Sequence, residues 1–557
     1  MSTSNTNENI DLLIIGAGPV GLTAAVEAKQ LGLSVRIVDR KTKRSTHDSR
    51  ALIVHARVME LLESVQNGAV TKKIEETSFH LEGISAYLPK CCDDSPVEFN
   101  INDAIWGDTD YTGPYFLPQY ETERILEGAF NNAGGYVEYG VSLEDLSQSD
   151  NLVTTTLRSI TNESTETITS KFVIGADGGR SKTRDLIGIK IDRHSLPDAY
   201  FVVADVICKN EPAELQGKEK CALMFPSKKG VAVLLPLPEK NARRLIAQAP
   251  LGITSKDDVN LDEKFFEQLL LERTGIEFEI GLGPWQTIFE MTHGSSESFR
   301  VGNVMLAGDA SHVHSPVGGQ GMNLGMQDAM NLLWKLAWVK RISEGYTPNE
   351  EGQETEEEVA STIETILNSY NLERQSLVKK LVESVEFATK MIATRNPVLQ
   401  SIRNMALQIV ISSNIFKNAP RKMGQLEMEF SPKSSPIIIE NQTKKRTFIC
   451  DPGQRLPNIR LEDGSHLHSH IDRVRYTWFF LNTNAMKSSY GWNIVQAIPA
   501  LSDRQVSIPS ISEKTLASQQ VLLVRPDQFV AAVGDSQVDI MKELKNAGLT
   551  ETALATM

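Results

Sequence analysis

A chain of 557 residues with a net charge of −14, 41% hydrophobic and 23% charged residues, is too long for one small module and too apolar to be disordered. It carries no Lys- and Arg-rich stripe to face a polyanion and no run of about 18 apolar residues, which argues against nucleic acid as a partner and against a membrane span. The polar start, Met1 to Asn9, has no positive region before its apolar run, so the expectation is a soluble, cytoplasmic protein without a signal peptide. The cysteines Cys91, Cys92, Cys208, Cys221 and Cys450 show neither Cys-x-x-Cys nor zinc spacing, so no metal is expected and the adjacent pair reads as two reduced thiols.

In chain order, the apolar run Ile10 to Ile15 leads into Gly16-Ala-Gly18-Pro19-Val20-Gly21. A helical stretch, Leu22 to Leu31, follows, and a second apolar run ends at Asp39-Arg40. That is strand, tight turn, helix, strand, the opening of a parallel α/β sheet. The glycines allow the turn, bring a pyrophosphate close to backbone N–H groups, and pack helix on strand. Asp39, about 20 residues on, suits adenosine ribose hydroxyls. NAD and FAD sites share this fingerprint. Helical periodicity returns at Ala56 to Glu63 and Glu121 to Ala129. Next comes Phe172-Val-Ile-Gly175-Ala-Asp177-Gly178, an Asp-Gly turn after a strand. From Asp192 to Phe299 short apolar runs broken by Gly, Pro and Lys suggest an inserted β sheet. Val304 to Ala307 then runs into Gly308-Asp309, and helical patterns continue to about Lys422 around an acidic stretch, Tyr346 to Val359, that reads as a solvated loop. Glu427 to Lys445 has the composition of a linker, and Arg446 onward that of a small α/β domain.

These three motifs in this order, with His314-Ser-Pro316-Val-Gly318-Gly319-Gln-Gly321-Met322-Asn323 through Asp328 after Gly308-Asp309, resemble the aromatic-ring flavin monooxygenases. The family is that of p-hydroxybenzoate hydroxylase, and the likeness is to its phenol hydroxylase branch. The resemblance implies an FAD-binding Rossmann-like domain (1–75, 111–190, 300–425) and a substrate-binding β domain (76–110, 191–299). A linker (426–445) and a thioredoxin-like C-terminal α/β domain (446–557) complete the expected architecture. It further implies that Asp309 holds the ribityl chain, that Pro316 lies near the reactive edge of the isoalloxazine, and that Gly318 to Asn323 present N–H groups to its pyrimidine ring. Arg50, Gln119, Asp177 and Gly178 match family positions at the cofactor. A helix opening there would aim its positive end at the N1–C2=O edge, where reduced flavin collects negative charge.

The implied reaction takes NAD(P)H and O2 and hydroxylates an aromatic or phenolic small molecule through a flavin C4a-hydroperoxide, which must be kept from water. His55, Tyr200, Glu290 and His293 are candidates for a base or hydrogen-bond partner, each equally readable as a surface or core residue. Epoxidation or Baeyer–Villiger chemistry on a larger polyketide- or alkaloid-like scaffold would use the same motifs. An FAD-binding scaffold without oxygenase activity is the third reading. Without Cys-x-x-Cys, the C-terminal domain is expected to be redox-inert and to serve packing or a homodimer.

Overall fold

The computed structural model describes residues 4–46, 51–88, 96–104, 106, 108–149, 151–210, 212–346, 354–411, 413, 417–440, 450–458, 465–481, 494–497 and 520–557. Arg50, Cys91 and Cys92 lie outside them. Cys221 and Cys450 are free thiols.

The first sheet runs in the order Arg300–Val301, Val304–Leu306, Thr165–Gly175, Ser4–Ile15, Val35–Asp39, Val137–Tyr139, with two further strands folding back antiparallel from Thr165–Gly175. Leu12, Leu13 and Ile14 are fully buried, as a strand covered on both faces requires, which explains why the opening run is continuously apolar. In the parallel registers Ile15 pairs with both Val38 and Gly175, and Gly175 with Leu306. Four strand ends therefore stand in one row. The turns that follow them emerge together at the carboxyl edge, where open α/β sheets bind ligands. Helix Pro19–Gln30 crosses helix Gln320–Gly345 closely: a Cβ on Gly325 would sit 2.6 Å from Val20 Cγ2.

A second sheet is built on the long antiparallel pair Ile191–Asn210 and Glu279–Ser296, extended by Ala242–Gln248, Gly230–Pro236, Cys221–Ser227, Gly83–Ala86 and Val97–Asn100. Val202, Ala204, Leu234 and Ala247 point to one side and pack on Phe266, Leu269 and Leu270 of helix Glu263–Thr274. Residues between them, such as Phe201, Val203 and Val233, face the opposite side and line a cavity. His312–Val313, four residues beyond Gly308, joins this sheet by pairing with Gly294 and Ser295. The inserted domain is thus hydrogen-bonded to the third motif.

The C-terminal sheet has the order Ile494–Ala497, Thr477–Leu481, Gln520–Val524, Val530–Gly534, with helices Gln537–Asn546 and Glu551–Thr556 after it. It docks on helix Gln320–Gly345 through aromatic packing, Tyr476 standing edge-on to Trp334 and Trp338 at 5.6 and 5.5 Å between ring centres. Beside this packing lies a fully buried ion cluster. Glu373 accepts from Arg525 Nη1 at 2.7 Å and Lys335 Nζ at 2.8 Å, and Arg525 also holds Asp527.

Two expectations need correction. The acidic stretch is not loop throughout, because helix Glu356–Ala393 begins inside it and 347–353 lie outside the described residues: Thr355 and Glu358 form a capping box, and three glutamates occupy the first turn, where the helix dipole favours anions. Residues 426–440 connect domains but do not hang free. Leu426, Phe430 and Ile437 to Ile439 are buried, and Phe430 and Ile439 donate N–H bonds to Gly453 and Ala531 at 2.8 Å. Among the described residues no helix is long and apolar enough to cross a membrane.

Burial alone would raise the pKa of Glu373, but Arg525 and Lys335 outweigh it and hold the carboxyl well below its ordinary 4.5. Its contribution to stability is therefore complete above that ordinary value and is lost as pH falls below it. Glu373→Gln removes the carboxylate that two buried cations share and is expected to cost about 3–5 kcal/mol in denaturant unfolding at neutral pH, with a smaller difference from wild type in acid.

Candidate active site

A cavity of about 1790 Å³ lies along the carboxyl edge of the first sheet and is walled on its far side by the second. The first motif forms one end. Gly16 N–H donates to Val38 O and Ala17 N–H to Asp39 Oδ2, both at 2.8 Å. Gly16 has φ +105°, and a Cβ there would lie 2.4 Å from Ala176 O, so this turn is pressed against the second motif. Gly21 serves packing: its Cβ would be 1.9 Å from Gly16 O, and it does not line the cavity. Gly18 differs, since a Cβ there would meet nothing within 4 Å and would project into open space. Pro19 opens the helix, no side chain caps it, and its first-turn N–H groups are left for a ligand. Val20, Asp39, Arg40 and Gln119 line the same end. Asp39 uses its other oxygen to accept Lys41 N–H at 2.8 Å.

In the second motif Asp177 and Gly178 reach the cavity wall, but the Asp177 carboxylate also shapes its own turn. It accepts Ser181 Oγ at 2.5 Å and both the N–H and Oγ1 of Thr183 at 3.0 Å. Arg184 ties this turn to the third motif, donating to Gly179 O at 3.2 Å and Ala310 O at 3.1 Å. Asp309 stands on the wall and makes no hydrogen bond among the described residues. Gly318 and Gly319 take φ +78° and +65° and turn the chain into helix Gln320–Gly345, which no side chain caps. Pro316, Gly318, Gly319, Gly321 and Met322 all line the cavity.

His55 is buried and acts on that glycine turn. Its Nε2 donates to Gly318 O at 2.9 Å, and its backbone N–H donates to Asn323 Oδ1 at 2.7 Å. Asn323 in turn gives its amide to Ile53 O and Gly319 O at 2.8 and 2.9 Å, so its side chain is spent on holding the loop and it does not line the cavity. Burial lowers the His55 pKa to about 4 against the opposing bonds to Gly318 and Gly319, which keeps the ring neutral.

Of the remaining candidates only Glu290 lines the cavity. Tyr200, paired with it across the strands, donates its hydroxyl to Glu290 at 3.2 Å from outside the wall. His293 is fully buried away from the cavity and stacks on His194, with neither ring nitrogen bonded among the described residues. Burial lowers its pKa. The structure does not bring these four together around one point.

Sequence reasoning passed over His314. It lines the cavity beside Gly321, donates from Nδ1 to Ser315 O at 2.9 Å, and leaves Nε2 a bare acceptor; burial lowers its pKa to about 4. The signal was present in the His-x-His spacing just before Pro316. It also missed the apolar wall of Phe201, Val203, Val233, Phe289 and Met291, whose alternation is visible only once the strands are paired.

The uncapped helix starts, the open space over Gly18 and the free carboxylate of Asp309 fit a dinucleotide lying across all three motifs. A family model described as FAD binding domain matches residues 9–346. The chain belongs to this family. FAD is its cofactor. The chain is 27% identical over 546 residues, 97% of each protein, to an uncharacterized aromatic compound monooxygenase of Bacillus subtilis (strain 168). It is 31% identical over 395 residues, 70% of this chain and 63% of the other, to 6-methylpretetramide 4-monooxygenase of Streptomyces rimosus. Its fold matches the flavin-dependent monooxygenase PieE, solved in complex with FAD and substrate, with TM-score 0.72, 18% identity and coverage of 99% of this chain and 100% of that one.

Two outcomes follow from this geometry. Gly18→Val should leave the apoprotein's melting temperature within a few degrees of wild type yet weaken FAD binding at least about tenfold by fluorescence titration, because the side chain enters ligand space and not core. His55 has a folded pKa below its ordinary 6.5, so the stability it contributes is present above 6.5 and falls away as pH drops towards about 4. His55→Gln, which keeps a donor for Gly318 O and removes the titration, should flatten that part of the stability profile measured by thermal melts between those two pH values.

Proposed function

We propose that this member of the FAD-binding-domain family uses NAD(P)H and O2 to hydroxylate an aromatic substrate. The observation that carries this reading is one cavity with two unlike halves. The motif half offers backbone N–H groups and carboxylates, and the facing half offers the apolar side of a sheet. At about 1790 Å³ it exceeds the ~300–1,000 Å³ of an ordinary single-ligand pocket, so a cofactor and a second molecule fit together.

When bound, FAD would supply the redox chemistry, with NAD(P)H and a proton as the reductant and O2 giving one atom to the ring and the other to water. The chain's own part is to bind, orient and dry the site. The first turn after Pro19 would hold the pyrophosphate, and Asp39 the ribose, with Arg40 and Gln119 beside it. Asp309 would hold the ribityl hydroxyls, and the N–H groups from Gly318 to Met322 would bind the pyrimidine ring. The positive end of helix Gln320–Gly345 favours negative charge there. Pro316 and the wall of Phe201, Val203, Phe289 and Met291 keep water from the reacting atoms. Glu290, held by the Tyr200 hydroxyl, is the wall's candidate acceptor for a phenolic proton. A cavity this much larger than an ordinary single-ligand pocket suits a multi-ring substrate beside the cofactor better than simple phenol. In the C-terminal domain burial raises the pKa of the Cys450 thiol, which suits a packing role better than a redox one.

The test is NAD(P)H consumption by the yellow holoenzyme across a panel from monocyclic phenols to linear polycyclic aromatics, with product masses recorded. A substrate-stimulated rate with a gain of one oxygen is the expected result, and no stimulation with no oxygenated product anywhere on the panel defeats the proposal. Val233→Trp, which fills the apolar half, should raise KM for multi-ring substrates about tenfold or more while the flavin absorbance stays unchanged.

A further inference from the structure

Helix Pro397–Ile411 turns its one charged residue inward and six large apolar residues outward, although Leu407 and Ile411 also pack inward. Gln400 and Arg403 face the protein, each 4% exposed. Gln400 Nε2 donates to Thr394 O at 3.0 Å and Lys228 O at 3.3 Å, and Arg403 Nη1 donates to Ile392 O at 2.9 Å. The outward face carries Val398, Leu399, Ile402, Met405, Ile409 and Val410, which are 41% to 67% exposed. A surface helix of a monomer normally shows the reverse arrangement. None of the six lines the cavity, so substrate does not account for them.

The face is also self-complementary. Val398, Ile402, Met405 and Ile409 follow a four-three-four spacing, which forms a straight seam on an α-helix. The seam is symmetric about its midpoint between Arg403 and Asn404. An identical helix laid antiparallel sets Val398 against Ile409 of the second copy and Ile402 against Met405 of the second copy, the reciprocal pattern of a two-fold interface. The six side chains expose on the order of 500 Å² of apolar surface, so two copies would bury roughly 1,000 Å², the lower bound of a specific interface. Charge points the same way. Each copy carries −14, but Arg403 is the helix's one charged residue and is turned in, so this face is neutral where two acidic copies must meet. A helix lying on a lipid surface would instead show Lys and Arg beside its apolar stripe.

We infer that the Pro397–Ile411 face joins two copies of this chain as an antiparallel helix pair about a two-fold axis. Because the repulsion elsewhere is electrostatic, added salt tightens the pair.

Sedimentation of the FAD-loaded protein at micromolar concentrations tests this. Wild type should run as a dimer, and Ile402→Glu with Met405→Glu, which sets four carboxylates at the centre of the seam, should weaken association at least 100-fold with flavin absorbance and NAD(P)H oxidation unchanged. Met405→Leu should stay dimeric, which separates a lost interface from a misfolded helix. Register is read by oxidation: Val398→Cys with Ile409→Cys should cross-link beyond the wild-type background, and Val398→Cys alone should not. A monomeric wild type overturns the inference, as does a dimer that survives both glutamates. Flotation of monomeric wild type with neutral phosphatidylcholine vesicles overturns it too, and assigns the face to a lipid surface.

Discussion

The carboxylate of Asp328 is the constraint on which the site depends. It is fully buried just over two turns into helix Gln320–Gly345, and it accepts from three directions: Gly308 N–H at 2.9 Å, His312 Nε2 at 2.8 Å and Arg374 Nε at 2.6 Å. Burial by itself would raise its pKa. Arg374 and His312, with the Gly308 N–H, outweigh that and hold it below the ordinary carboxylate value. The charged form is thus the one that fits, and it fixes the Gly308–Asp309 turn, the start of the His312–Val313 strand and helix Glu356–Ala393 around one point. A buried charge missing a partner is costly, so the three elements hold together or fail together.

Glu373, the residue before Arg374, extends this bracing into the C-terminal domain. Arg374 reaches the flavin motif while Glu373 reaches Lys335 on the same long helix and Arg525 on the C-terminal sheet. Tyr370, one turn earlier, donates its hydroxyl to Leu306 O at 2.6 Å. The Tyr370-Asn-Leu-Glu373-Arg374 run therefore serves three separate parts of the molecule. The C-terminal domain needs no chemistry of its own to matter, because it stiffens the helix whose first turn faces the cofactor.

Most of the cofactor end was legible in the sequence because its chemistry demands unusual residues at fixed offsets: glycines where a Cβ would strike backbone, a proline at a helix start, acids at strand ends. The family match agrees on FAD, and the strand register brings the turns of the three motifs to one edge. The substrate end was not legible for an equally physical reason. An apolar wall is written in Val, Leu, Phe and Met, the same residues that make a core, and only strand pairing tells which of two neighbours faces the cavity. His55 illustrates the limit. Its residue type suggested a base, whereas its bond to Gly318 O makes it a brace, and that distinction rests on a contact 263 residues away in sequence. Likewise the Asn323 side chain braces its own loop through Ile53 O and Gly319 O, a role its residue type did not announce.

The alternation along the second sheet carries a consequence for how such a protein changes. Val202, Ala204, Ala232 and Leu234 hold the sheet to helix Glu263–Thr274, while Phe201, Val203, Val231 and Val233 shape the cavity. Stability and selectivity are thereby written on alternate letters of the same strands. Lineages can re-carve the chamber by substituting every second position, leaving the intervening ones to keep the scaffold folded, and the oxidising half need not take part.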